Sequence, residues 1–65
     1  MNLEDMSDEQ LLIMLNEFAG DTPSFNADFL DSVAGYFKAY GEISPRQRAS
    51  LESIAYKWNV IEKYG

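Results

Sequence analysis

The sequence predicts an all-α fold, a small three-helix bundle, on three observations. Apolar residues recur at helical spacing in three segments. Two of those segments open with a Ser-x-x-Gln capping box, and no stretch alternates apolar and polar residues as a strand would. The expected helices cover about 7–19, 26–40 and 44–63, in one helical domain spanning 1–65.

The first helix is signalled by "MSDEQLLIMLNEFAG". Ser7 is the expected N-cap, Gln10 completes the capping box, and Met6 can meet Leu11 as a hydrophobic staple. Leu11, Met14, Leu15 and Phe18 define the inward stripe, and Gly20 is placed to end the helix in the left-handed conformation. The run "LLIML" reads as core rather than as a segment laid into a partner's groove.

Pro23 in "DTPS" interrupts the helical pattern. The second helix is expected from Asn26, capped by Asn26 or Ser24, to Tyr40, with Phe29, Leu30, Val33, Phe37 and Tyr40 inward and Gly41 as the stop. Gly35 in its middle lowers helix propensity and leaves room for a neighbouring helix to approach closely. Phe25, in the link, is expected to cap one end of the bundle.

The third helix begins with Ser44 as cap, Pro45 at the first helical position and Gln47 closing a second box. Leu51, Ile54, Ala55, Trp58 and Ile61 form its stripe. Tyr36, Tyr56 and Tyr64 fall partly off the stripes.

Composition narrows the function classes. The 65 residues are 46% hydrophobic and 14% aromatic, enough for a compact core and unlike a disordered chain. There is no cysteine and no histidine. That removes disulfides, thiolate metal sites, the commonest general base and the commonest transition-metal ligand. No Ser-His or Cys-His set, phosphate-binding glycine loop or EF-hand rhythm is present, so the expectation is a non-enzyme without cofactor or metal. "LLIML" is too short to cross a bilayer and no basic region precedes an apolar run at the start, so the expectation is a cytoplasmic protein with no membrane partner.

The charge distribution is the most unusual feature. Net charge is -6. Residues 1 to 37 hold Glu4, Asp5, Asp8, Glu9, Glu17, Asp21, Asp28 and Asp31 with no Lys or Arg. Residues 38 to 65 hold three acids against Lys38, Arg46, Arg48, Lys57 and Lys63. Acids at helix starts also suit the macrodipole, which accounts for Asp8, Glu9 and Asp28 without any partner.

"ISPRQRASLESIA" resembles the opening of a LuxR-type helix-turn-helix through Ile43, Ser44, Pro45, Arg46, Arg48, Leu51, Ile54 and Ala55. In that family a following turn delivers a recognition helix to the major groove. The ten residues that follow here, "YKWNVIEKYG", carry no glycine turn, and no second helix is expected, so DNA reading is not carried over. The whole second half resembles a helical-hairpin pattern of small phage and mobile-element proteins, through Phe29, Leu30, Gly41, Ile43, Ser44, Arg46, Gln47, Leu51 and Ile54. That resemblance implies the class of small acidic phage-encoded host antagonists, anti-CRISPR proteins and other DNA mimics among them.

The functional expectation is a small acidic interaction module. Its eight carboxylates, Glu4, Asp5, Asp8, Glu9, Glu17, Asp21, Asp28 and Asp31, would occupy a basic nucleic-acid channel on a host protein or complex, in the host cytoplasm if phage-encoded. The alternative is a structural subunit of a larger phage or bacterial assembly, with self-association permitted by the small size. Direct nucleic-acid binding through Arg46, Arg48, Lys57 and Lys63 is the weakest expectation, because the surrounding acids repel phosphate.

Overall fold

Both capping boxes form. Gln10 N–H donates to Ser7 Oγ at 3.1 Å and Ser7 N–H to Gln10 Oε1 at 3.1 Å, which starts helix α1, Asp8–Asp21. Gln47 N–H donates to Ser44 Oγ at 3.1 Å and Ser44 N–H to Gln47 Oε1 at 2.8 Å, which starts α3, Pro45–Lys57. Each box satisfies two amide groups that the helix itself leaves unpaired. A computed structural model describes residues 3–64. Helix α2 spans Asp28–Tyr40, a short α4 spans Val60–Tyr64, and a 3-10 turn covers Leu3–Asp5. The described residues are all helical or in connections, with no strand.

Three boundaries differ from the sequence expectation. Helix α1 runs past Gly20 to Asp21, and Gly20 does not take a positive φ. The stop is Thr22, at φ -127° and ψ 85°, because the residue before a proline is pushed out of the helical region. Helix α2 has Ala27 at its N-cap with no side-chain cap, while Asn26 Oδ1 accepts from Asp28 N–H at 2.9 Å. The third helix is not continuous over 44–63. It ends at Lys57, Asn59 takes φ 55°, and α4 follows. A turn and a second helix therefore do follow the stretch that resembles a helix-turn-helix start. Asparagine reaches the left-handed region more readily than most residues, so no glycine is needed.

Gly41 ends α2 as expected, at φ 77°, with its N–H on Phe37 O at 2.7 Å.

Helix α1 lies at the centre and touches α2, α3 and α4. The core joins Leu11, Leu12, Met14, Leu15 and Phe18 of α1 to Leu30 and Val33 of α2, Leu51 and Ala55 of α3, and Val60 of α4. Leu3, Met6 and Ile43 close it from the connections. The radius of gyration is 10.8 Å, against roughly 10.7 Å for a compact chain of this length.

Within "LLIML" only Ile13 points outward, at 53% exposure.

The expected α2 stripe is only partly inward. Phe29 is 41% exposed and Tyr40 68% exposed, while Leu30 and Val33 are buried and Phe37 half-buried. Helix α2 packs on α1 and makes few contacts with α3, so the flank of its apolar face that looks toward α3 stays open. Gly35 lies against no neighbour, since a methyl group there would meet nothing within 4 Å.

An aromatic cluster closes one end of the molecule. Phe18, 2% exposed, has Phe25 at 5.1 Å, Trp58 at 5.5 Å and Tyr64 at 6.3 Å between ring centroids. Phe25 meets Trp58 edge-on at 5.5 Å. Phe25 thus caps this end, and the break at Asn59 is what turns Val60 and Tyr64 back onto α1.

Candidate functional site

The eight carboxylates of the N-terminal half lie at three places along the chain. Glu4, Asp5, Asp8 and Glu9 lie in the 3-10 turn and the first turn of α1. Glu17 and Asp21 lie toward the other end of α1, roughly 12–20 Å away along the helix axis at 1.5 Å per residue. The link over 22–27 then carries the chain to Asp28 and Asp31 in the first turn of α2. No group of three or more acids among the described residues is close enough to hold a metal ion. The acids are a distributed field rather than a chelating cluster.

Two of the eight are engaged within the molecule. Asp8 Oδ1 accepts from Arg48 Nη1 at 2.9 Å, and Asp21 Oδ2 accepts from the Tyr64 hydroxyl at 2.8 Å. The other six, Glu4, Asp5, Glu9, Glu17, Asp28 and Asp31, are exposed. Among the described residues their carboxylates meet no cation, because the ion pairs both belong to Arg48.

Arg48 has a part that its sequence position only half discloses. Its Nε donates to Glu52 Oε2 at 2.9 Å, a helical i,i+4 pair visible in the sequence. Its Nη2 donates to Leu3 O at 2.7 Å and Met6 O at 2.8 Å, and no local pattern announces those contacts. Burial opposes the charge, but hydrogen bonds to Glu52 and Asp8 outweigh it and hold the guanidinium pKa above its usual value. Arg48 is therefore a clamp between α3 and the N-terminal turn, and it is withdrawn from the set Arg46, Arg48, Lys57 and Lys63 offered for nucleic-acid binding.

The open side between α2 and α3 forms a cleft of about 290 Å³ lined by Phe29, Tyr36, Ser44, Arg46, Gln47 and Ser50. Phe29 and Tyr36, seven residues apart, share one flank of α2. Tyr36 also packs against Tyr40, with ring centroids 4.5 Å apart. Arg46 and Ser50 are one turn apart on α3. Helical spacing suggests Phe29 for the core, and Arg46 stands out in the sequence only as one of four cations offered for nucleic-acid binding. Phe29, Tyr36 and Tyr40 form a second stripe at spacings of seven and four, beside the stripe of Leu30, Val33 and Phe37, and this spacing is the sequence signal for the cleft wall.

No helix among the described residues is long and apolar enough to cross a membrane. Comparison of the chain with protein-family models, with curated proteins and with solved structures finds no match in any of the three.

Proposed function

We propose that the chain is a small acidic protein-interaction module that docks its carboxylate-bearing half on the basic nucleic-acid channel of a partner and so inhibits a nucleic-acid-handling or defence complex. The observation that carries this reading is the set of six exposed carboxylates with no internal cation. A helix dipole draws acids to the first turns of α1 and α2, but it does not account for Glu4, Asp5 or Glu17. Carboxylates on a rigid helical frame present negative charge to lysines and arginines as phosphates do, and their attraction includes release of bound counterions.

The test is a variant carrying Glu4→Gln, Asp5→Asn, Glu9→Gln, Glu17→Gln, Asp28→Asn and Asp31→Asn. Asp8 and Asp21 stay intact, so the Arg48 and Tyr64 contacts are kept. Immobilised wild type is expected to retain nucleic-acid-binding proteins from a nuclease-treated bacterial extract, and the amide variant to lose them. Equal retention by both would remove the electrostatic reading.

A second reading, a subunit of a larger assembly, is favoured by the exposed Tyr36–Tyr40 pair. Sedimentation showing only monomer at high concentration would count against pairing with itself.

A further inference from the structure

We infer that the α2–α3 cleft is a second binding site, distinct from the acidic half, for a partner-protein segment in which an aromatic side chain lies beside a single carboxylate. Three features of the cleft specify that chemistry.

The first is its apolar wall. Phe29 and Tyr36 are each 41% exposed and line the same cleft, which leaves their rings open to an aromatic group in offset or edge-on contact. Its volume of about 290 Å³ lies at the small end of the range for ligand pockets.

The second is the opposite wall. The capping box occupies Gln47 Oε1 with Ser44 N–H and engages Ser44 Oγ as acceptor from Gln47 N–H. The Gln47 amide NH2, the Ser50 hydroxyl and the Arg46 guanidinium make no hydrogen bond among the described residues, and with the Ser44 hydroxyl they give the cleft a lining dominated by donors. Arg46, unlike Arg48, makes no side-chain hydrogen bond or ion pair among the described residues. Donors with one unpaired cation select an anionic acceptor, and a guanidinium pairs with a carboxylate through two parallel hydrogen bonds.

The third is charge number. One cation lines the cleft, in a molecule of net charge -6 with Asp28 beside Phe29. A ligand with one negative charge gains from Arg46. A nucleotide or strand brings two or more charges against the same field and is opposed by it. The observations therefore favour a peptide carboxylate over a nucleic acid.

The probe is N-acetyl-L-phenylalanine, which carries one aromatic ring and one carboxylate. It is titrated into the full isotope-labelled chain and followed through backbone amide shifts. N-acetyl-L-phenylalaninamide serves as the neutral analogue and adenosine monophosphate as the nucleotide. The expected result is saturable shifts centred on Tyr36, Gln47 and Ser50, with a dissociation constant on the order of a millimolar for a fragment of this size. The neutral analogue is expected to bind about fivefold or more weakly, since it loses a charge-assisted hydrogen bond. In Arg46→Gln the acid and the amide are expected to bind alike, with shifts elsewhere unchanged to show that the fold is kept. Equal binding of acid and amide by wild type would overturn the inference. So would tighter binding of adenosine monophosphate, or no saturable shift up to roughly 20 mM ligand.

Discussion

The guanidinium of Arg48 lies 2.9 Å from the carboxylate of Asp8, although forty residues separate them in the chain. The pair by itself contributes little, because both groups keep contact with water: 18% of the Arg48 side chain and 31% of the Asp8 side chain are exposed. Its weight comes from the same guanidinium holding the Leu3 and Met6 carbonyls, which brings buried Leu3 and Met6 down onto the core.

Arg48→Met is therefore expected to cost about 1.5–3 kcal/mol in urea denaturation, the range for hydrogen bonds to a charged group. Asp8→Asn is expected to cost about 0–1 kcal/mol, because it removes a partly solvated ion pair and leaves both carbonyl contacts. Equal losses in the two variants would mean that the clamp on the N-terminal turn carries no stability.

The turn between α3 and α4 rests on Asn59 at φ 55°. Alanine pays a steric penalty in that region which glycine avoids. Asn59→Ala is expected to be less stable than Asn59→Gly by about 1 kcal/mol. Both variants lose the Asn59 Nδ2 bond to Glu62 Oε2 at 2.8 Å, so the comparison isolates the backbone. Equal stability would place the turn outside the left-handed region.

What could be read from the sequence was what local contacts decide. The Ser7–Gln10 and Ser44–Gln47 boxes and the Gly41 stop form where expected, because each involves residues within one turn of the helix. The Asn59 break was hidden because Leu51, Ile54, Ala55, Trp58 and Ile61 keep helical spacing straight through it. Trp58 and Ile61 still pack against the core, but Val60, fully buried, does so only because the chain turns first. The spacing within α2 shows that Phe29 belongs to a second stripe with Tyr36 and Tyr40, but that this stripe faces outward follows from α2 packing on α1 with few contacts to α3, which the sequence of α2 does not encode. For the candidate site, the eight acids are visible in the sequence, and only the fold separates Asp8 and Asp21, engaged by Arg48 and Tyr64, from the six with no internal partner.

Glycine offers a test of opposite signs within one helix and its cap. Gly35 lies inside α2 with open space around it, so Gly35→Ala is expected to stabilise the protein by roughly 0.5–1 kcal/mol. Gly41 has equal space but sits at φ 77°, so Gly41→Ala is expected to cost about 1 kcal/mol. Thermal unfolding of the two variants beside wild type checks both directions. A loss at Gly35 would mean that its surroundings are occupied after all.

Tyr64 links the end of α4 to the end of α1. The hydrogen bond to Asp21 keeps its phenol pKa above the ordinary 10.0, helped by desolvation and by the charges of Asp21 and Glu17. The raised value means that the folded state holds the proton more tightly than the unfolded chain. The contribution is complete below about pH 10 and is lost as pH rises through the folded value. Asp21→Asn is expected to lower the midpoint of the Tyr64 ring-carbon shift in an NMR titration. An unchanged midpoint would show that the bond to Asp21 does not set it.

The proposal that the acidic half binds as a substitute for nucleic acid is tested by competition at varied salt. A partner retained by the wild type is titrated with the protein between about 50 and 500 mM salt, with and without duplex DNA. The predicted result is an affinity that falls steeply as salt rises, is displaced by DNA, and is absent from the six-site amide variant. Binding that is unchanged across that salt range, or that proceeds equally with DNA bound, would contradict it.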